Sequence, residues 1–98
     1  MEQMNVDDTM KVSIDLNEET LPKSAGILQP LIYLEGKQYY CVLGPNKTAG
    51  IWGIGTSPTH SIIDWDVNLT SRLATPLEDD EVIKYVKDVY NAYHTEVW

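Results

Sequence analysis

Hydrophobic and polar positions along this chain first alternate and later recur at helical spacing. Lys11-Val12-Ser13-Ile14-Asp15-Leu16 alternates with a period of two, the pattern of a half-buried strand, here expected at a sheet edge. Residues 1–10 are polar, Met-rich and aperiodic, and are expected to be a flexible acidic tail on a single domain spanning 11–98. Asn17 to Gly26 reads as a loop with Pro22 and Gly26 as breakers. Leu31-Ile32-Tyr33-Leu34 and Lys37-Gln38-Tyr39-Tyr40-Cys41-Val42-Leu43 flank Glu35-Gly36 and predict a β-hairpin. A two-residue turn puts Ile32 and Leu34 on one face with Tyr39, Cys41 and Leu43, and Leu31 and Tyr33 on the other with Tyr40 and Val42. Both faces are then partly apolar, so the second needs a cover: the N-terminal segment, the last helix or a partner chain.

After a turn from Gly44 to Gly50, Ile51-Trp52-Gly53-Ile54-Gly55 predicts a third strand, with Gly53 and Gly55 on one side leaving room for a closely packed helix. That helix is expected to start at once, with Ser57 as N-cap and Pro58 at its first position. Ile62, Trp65, Leu69 and Leu73 form its core stripe; Ile63, Val67 and Ala74 extend the apolar arc, and His60, Asp64, Asn68, Ser71 and Arg72 lie opposite. Ala74-Thr75-Pro76 ends it. A second helix begins in the acidic run Glu78 to Glu81 and carries the stripe Val82, Tyr85, Val86, Val89 and Tyr93. The expected fold class is α+β: a small antiparallel sheet of three or four strands, in β-β-β-β-α-α order, with two helices packed on it.

From Ile32 to about Trp65 the chain resembles the HicB-like antitoxin domain, a β-β-β-α unit. The resemblance lies in the acidic turn Glu35-Gly36, the aromatic pair Tyr39-Tyr40, Pro45, the glycines Gly50 and Gly55 five residues apart, and Ser57 in the place of a helix-capping Thr or Ser. The chain departs from the family at Pro58-Thr59-His60-Ser61, which stands where Leu-Glu-Glu-Ala is usual, and in a turn between Pro45 and Gly50 that is one residue longer. It also carries an acidic helix where family members often carry a DNA-binding module. The resemblance covers about a third of the chain and implies a stand-alone partner-binding domain without an operator-binding role.

Charge narrows the function classes. The 98 residues carry a formal net charge of −8, which repels a phosphate backbone, so direct nucleic-acid binding is not expected. By segment the charge is −5 over 1–20, +2 over 21–63 and −5 over 64–98, so the acid sits at both ends. No apolar run approaches a membrane span, and residues 1–20 lack the basic-then-apolar order of a secretion signal. With one cysteine no internal disulfide is available, and a reducing, cytoplasmic setting is expected.

The candidate sites follow from these patterns. Tyr33, Tyr39, Tyr40 and Trp52 crowd a sheet too small to bury them all, and Tyr and Trp concentrate binding energy at interfaces. Tyr33, Tyr40 and Trp52, with Asp79 and Asp80 of the acidic run, are therefore the expected partner-binding residues. The expected function is a small acidic protein-binding module, antitoxin-like or inhibitory, that neutralises a basic partner such as a toxin or ribonuclease; a homodimer is a further expected association. The alternative is a small-ligand or anion-binding domain that uses the Gly53–Ser57 turn, with Gly55, Thr56 and Ser57 presenting N–H groups at a helix N-terminus. Catalysis is not expected, because no nucleophile, base and orienter can be assembled. Asp66, at the boundary of the first helix's apolar stripe, is expected to be structural. His60 and Asp64 stand four apart but lack further ligands, Asp79-Asp80-Glu81 diverge around a helix, and Cys41 reads as a buried strand residue; no metal or cofactor is expected.

Overall fold

The computed structural model describes residues 3–46 and 48–93; the first two residues of the expected tail, and Lys47 of the basic segment, lie outside them. Six elements follow in order: α1 (Lys23–Leu28), β1 (Leu31–Glu35), β2 (Gln38–Leu43), β3 (Ile51–Gly55), α2 (Pro58–Ala74) and α3 (Glu81–Tyr93). The fold is α+β, with one antiparallel sheet of order β1-β2-β3 and two main helices. The hairpin turns at Gly36-Lys37, one residue later than expected, and pairs Glu35 with Gln38. Gly36 has φ 64 and so supplies the positive φ that primed hairpin turns demand at their first central position. The shift moves the pairing by two residues, which leaves the face assignments as expected: Ile32 lies opposite Cys41, and Tyr33 opposite Tyr40.

Two elements differ from the sequence expectation. The strand expected over 11–16 is reduced to a single bridge between Lys11 and Tyr33, held by Val12 N–H to the Ile32 carbonyl (2.9 Å) and Leu34 N–H to the Met10 carbonyl (2.8 Å). The ladder stops for local reasons. Met10 N–H is already donated to Asp7 in a turn, and the next ladder position on the β1 side is Pro30, which has no N–H to give. The alternation still works as packing, since Val12, Ile14 and Leu16 rest against the core. The expected loop Asn17–Gly26 gives way at Lys23 to the short helix α1, with Pro22 at its N-cap. Six residues hold little helical free energy of their own. This helix is fixed by burial of Ala25 and Leu28 and by the Ser24 hydroxyl, which donates to the Asp66 carboxylate of α2.

The core lies between the sheet and the helices. Ile32, Cys41, Leu43 and Ile51 from one sheet face meet Ile62, Trp65 and Leu69 of α2 and Val82, Ile83, Val86 and Tyr90 of α3. The α3 stripe thus centres on Val86, with Ile83 and Tyr90 fully in the core; Tyr85 and Val89, expected within it, are half-buried on its shoulder. α2 lies on β3 at backbone contact distance. A Cβ on Gly53 would fall 2.2 Å from the Trp65 backbone N and 2.5 Å from the Ser61 carbonyl oxygen, and one on Gly55 would fall 2.6 Å from Ser61 N. The expected use of these glycines is therefore what the packing requires.

That closeness lets α2 reach the outer edge of β3. Asp64 Oδ2 accepts from Ile54 N–H at 3.0 Å, Asn68 Nδ2 donates to the Trp52 carbonyl at 2.7 Å, and Arg72 Nη1 donates to the Gly50 carbonyl at 3.0 Å. Four residues of helix rise about 6 Å and two residues of strand about 6.7 Å, so an i, i+4, i+8 row on the helix keeps step with alternate residues of an antiparallel strand. The row satisfies backbone groups that an edge strand would otherwise present for pairing with another chain. It also corrects the expected orientation of α2: the polar arc of Asp64, Asn68 and Arg72 faces the sheet edge, while Ile63 and Val67 are 45% and 60% exposed on the outer side.

Among the described residues no helix lies over the second sheet face, yet Tyr33 is 1% exposed and Val42 is fully buried. The N-terminal segment supplies the cover. Met4 N–H donates to the Gly44 carbonyl (2.7 Å), and Gln3 Oε1 accepts from Gly44 N–H (2.7 Å), at one end of the sheet; Met10 and Val12 bind β1 toward the other.

Gly53→Ala is expected to destabilise the fold by about 2–3 kcal/mol, because a backbone-to-backbone clash cannot be relieved by a side-chain rotation; urea-unfolding midpoints against wild type check this. Asp64→Ala combined with Asn68→Ala is expected to cost about 1 kcal/mol per lost bond, to raise hydrogen exchange at Ile54, and to make the protein self-associate in light scattering as β3 regains an open edge.

Candidate functional site

The aromatic residues expected to face a partner form one row across the second sheet face. Tyr33 of β1 stacks on Tyr40 of β2 with ring centroids 5.1 Å apart and planes 14° apart, and Tyr40 stacks on Trp52 of β3 at 6.2 Å and 30°. Tyr33 and Tyr40 are directly opposed in the ladder, so the strands themselves place the rings. Exposure rises along the row, from buried Tyr33 through half-buried Tyr40 to Trp52, which is 37% exposed. Tyr33 was expected to face a partner; it lies beneath the surface and instead backs Tyr40. Tyr39 points to the helix side of the sheet, as the hairpin parity requires.

Of the acidic pair, Asp79 is exposed and Asp80 is internal. The Asp80 carboxylate, 4% exposed, takes a two-pronged ion pair from Arg72, with Nε to Oδ2 and Nη2 to Oδ1 both 2.8 Å. It also accepts from Leu77 N–H (3.0 Å) and Ile83 N–H (3.1 Å), the second being the N-cap bond of α3. Arg72 reaches on to the carbonyls of Ala49 and Gly50. One ion pair therefore joins the end of α2, the start of α3 and the entry to β3. The Arg72 hydrogen bonds hold the Asp80 carboxyl down at about 2, against the opposing effect of burial, with the two backbone N–H groups assisting. Asp80 was expected at the partner surface; every bond of its carboxylate turns inward, and it holds the start of α3 in place.

The turn ahead of α2 is closed on itself. Ser57 Oγ accepts from His60 N–H (3.1 Å), the Ser57 carbonyl accepts from Ser61 N–H (3.1 Å), and Pro58 has no N–H. Gly55 is pressed against His60 and Ser61. The N–H groups of His60 and Ser61 are thus committed to the helix cap, and Pro58 adds none. His60 and Asp64 do not converge: the His60 ring lies 3.4 Å from Thr56 Oγ1, while Asp64 binds Ile54 N–H. Among the described residues, no group of three or more His, Cys, Asp or Glu could hold a metal ion, and no helix is long and apolar enough to cross a membrane. Burial pushes the Cys41 thiol far up, so it stays protonated at neutral pH. Asp66 accepts from Ser24, and its charge adds to the burial that pushes the Tyr90 hydroxyl up to about 12.

Sequence reasoning did not single out the groove of about 500 Å³ between α3 and the residues Pro45 and Ala49, into which Asp79, Tyr85 and Asp88 open. The spacing of Glu81, Tyr85 and Asp88 on one helix face was the available signal. No protein-family model, curated protein or solved structure matches the chain.

The Asp80 carboxyl sits below its unfolded value, so its contribution is complete above about pH 4 and is lost as pH falls through about 2. Asp80→Asn is expected to lower stability at neutral pH by on the order of 2 kcal/mol and to flatten the stability profile between those pH values, read by thermal unfolding across an acid series.

Proposed function

We propose that this chain is a small acidic protein-binding module, of the antitoxin or inhibitor kind, that neutralises a basic partner protein such as a ribonuclease toxin. The HicB-like arrangement of hairpin, glycine-bearing strand and capped helix fits such a stand-alone binding domain. The observation that carries the proposal is the stacked row ending in exposed Trp52, an anchor of the kind that dominates interface energetics, in a chain of net charge −8. Tyr40, Trp52 and Asp79 are the groups available to the partner, with Tyr33 and Asp80 supporting them from below. Acidic surface steers the encounter and the aromatic row holds the complex.

Affinity capture from the native host extract at low and high salt tests this. A basic protein retained at low salt and weakened at high salt is expected, and Trp52→Ala, which keeps the helix-side core intact, is expected to weaken that binding at least about tenfold. Capture that ignores both salt and Trp52→Ala would sink the proposal.

A further inference from the structure

We infer that the groove between the first two turns of α3 and the residues Pro45 and Ala49 docks an arginine-bearing segment of a basic partner, with the Tyr85 ring as its floor. This rests on the protein-binding reading above and names the chemistry of its partner. The groove holds about 500 Å³, room for a side chain or two, between Ala49 on one wall and Val82 and Tyr85 of α3 on the other. Asp79, Glu81 and Asp88 stand around it. Glu81 lies four residues before Tyr85 and Asp88 three after, so each carboxylate is one helical turn from the ring, above and below it. Lys84 also lines the groove but is drawn to Glu81 at 3.4 Å, so among the described lining residues three carboxylates stand against one ammonium.

An aromatic face flanked by carboxylates selects a cation, and a planar one best. Guanidinium stacks on a tyrosine ring while its fork donates to carboxylates at the rim; an ammonium can do only one of these well. A second copy of this chain is a poor occupant. Its one arginine, Arg72, is already bound to Asp80 and to the carbonyls of Ala49 and Gly50. The occupant is therefore a different, basic chain.

The test is an amide-resolved NMR titration of the whole protein with an acetylated, amidated Gly-Arg-Gly-Arg-Gly peptide, beside lysine and citrulline counterparts. Saturable shifts at Ala49, Val82 and Tyr85 are expected with the arginine peptide, several-fold weaker binding with lysine, and none with neutral citrulline. Asp88→Lys and Tyr85→Ala should each weaken binding about tenfold, while Glu35→Lys, the same charge change at the hairpin tip, should change it less than about twofold. Because Tyr85 is half-buried, Tyr85→Leu serves as the variant that keeps its packing and removes the ring face. Shifts spread over all the acidic segments, with Glu35→Lys as damaging as Asp88→Lys, would overturn the groove in favour of general charge attraction. A basic partner captured equally well by the Asp88 and Tyr85 variants would also overturn the groove while leaving the protein-binding reading standing. A saturable arginine site with no partner captured from extract would do the reverse.

Discussion

The approach of α2 to β3 is the constraint on which the rest of the molecule depends. Without side chains at Gly53 and Gly55 the helix settles against strand backbone, and only at that distance can Asp64, Asn68 and Arg72 reach the strand's outer edge. The same seating drives Trp65 fully into the core and carries Arg72 to Asp80, which caps the next helix. Packing, edge protection and the position of α3 are thus one solution. A side chain at position 53 would disturb all three together.

Much of the fold was legible because local rules and tertiary packing agree. The alternation through the hairpin gave the right faces, Ser57-Pro58 marked the start of α2, and the glycine pair on β3 foretold a close helix. The misreadings share a cause. Amphipathic patterning assigns polar residues to water, yet on α2 the polar row binds a strand edge and Ile63 and Val67 face outward. Nothing in the periodicity of one helix tells that its neighbour has unpaired backbone groups. Similarly, Lys11–Leu16 has the pattern of a strand, but the limits on its ladder, a proline at position 30 and a turn at Asp7, lie outside the segment. α1 was invisible for the same reason: its support comes from Asp66, 42 residues away from Ser24.

The candidate site was legible by residue type more than by placement. Aromatic crowding on a small sheet implies that some rings stay at the surface, and Trp52 is exposed and Tyr40 half-buried, but strand position within the sheet decides which ring is covered, and Tyr33 lies on the side that the N-terminal segment crosses. Consecutive Asp79 and Asp80 look equivalent in sequence. One helix start separates them: the N-cap residue turns its carboxylate back into the fold, and the residue before it, with φ 52, turns outward.

The N-terminal cover has a consequence for the order in which the structure assembles. Its contacts from Gln3 to Val42 and Gly44 close separations of 39 and 41 residues, whereas the contacts of α2 with the edge of β3 close only 10, 16 and 22. Loop-closure entropy favours the nearer partners, so a nucleus of the sheet and α2 needs nothing from Gln3 and Met4. By the same measure Gln3 and Met4 close over a sheet already complete beneath them.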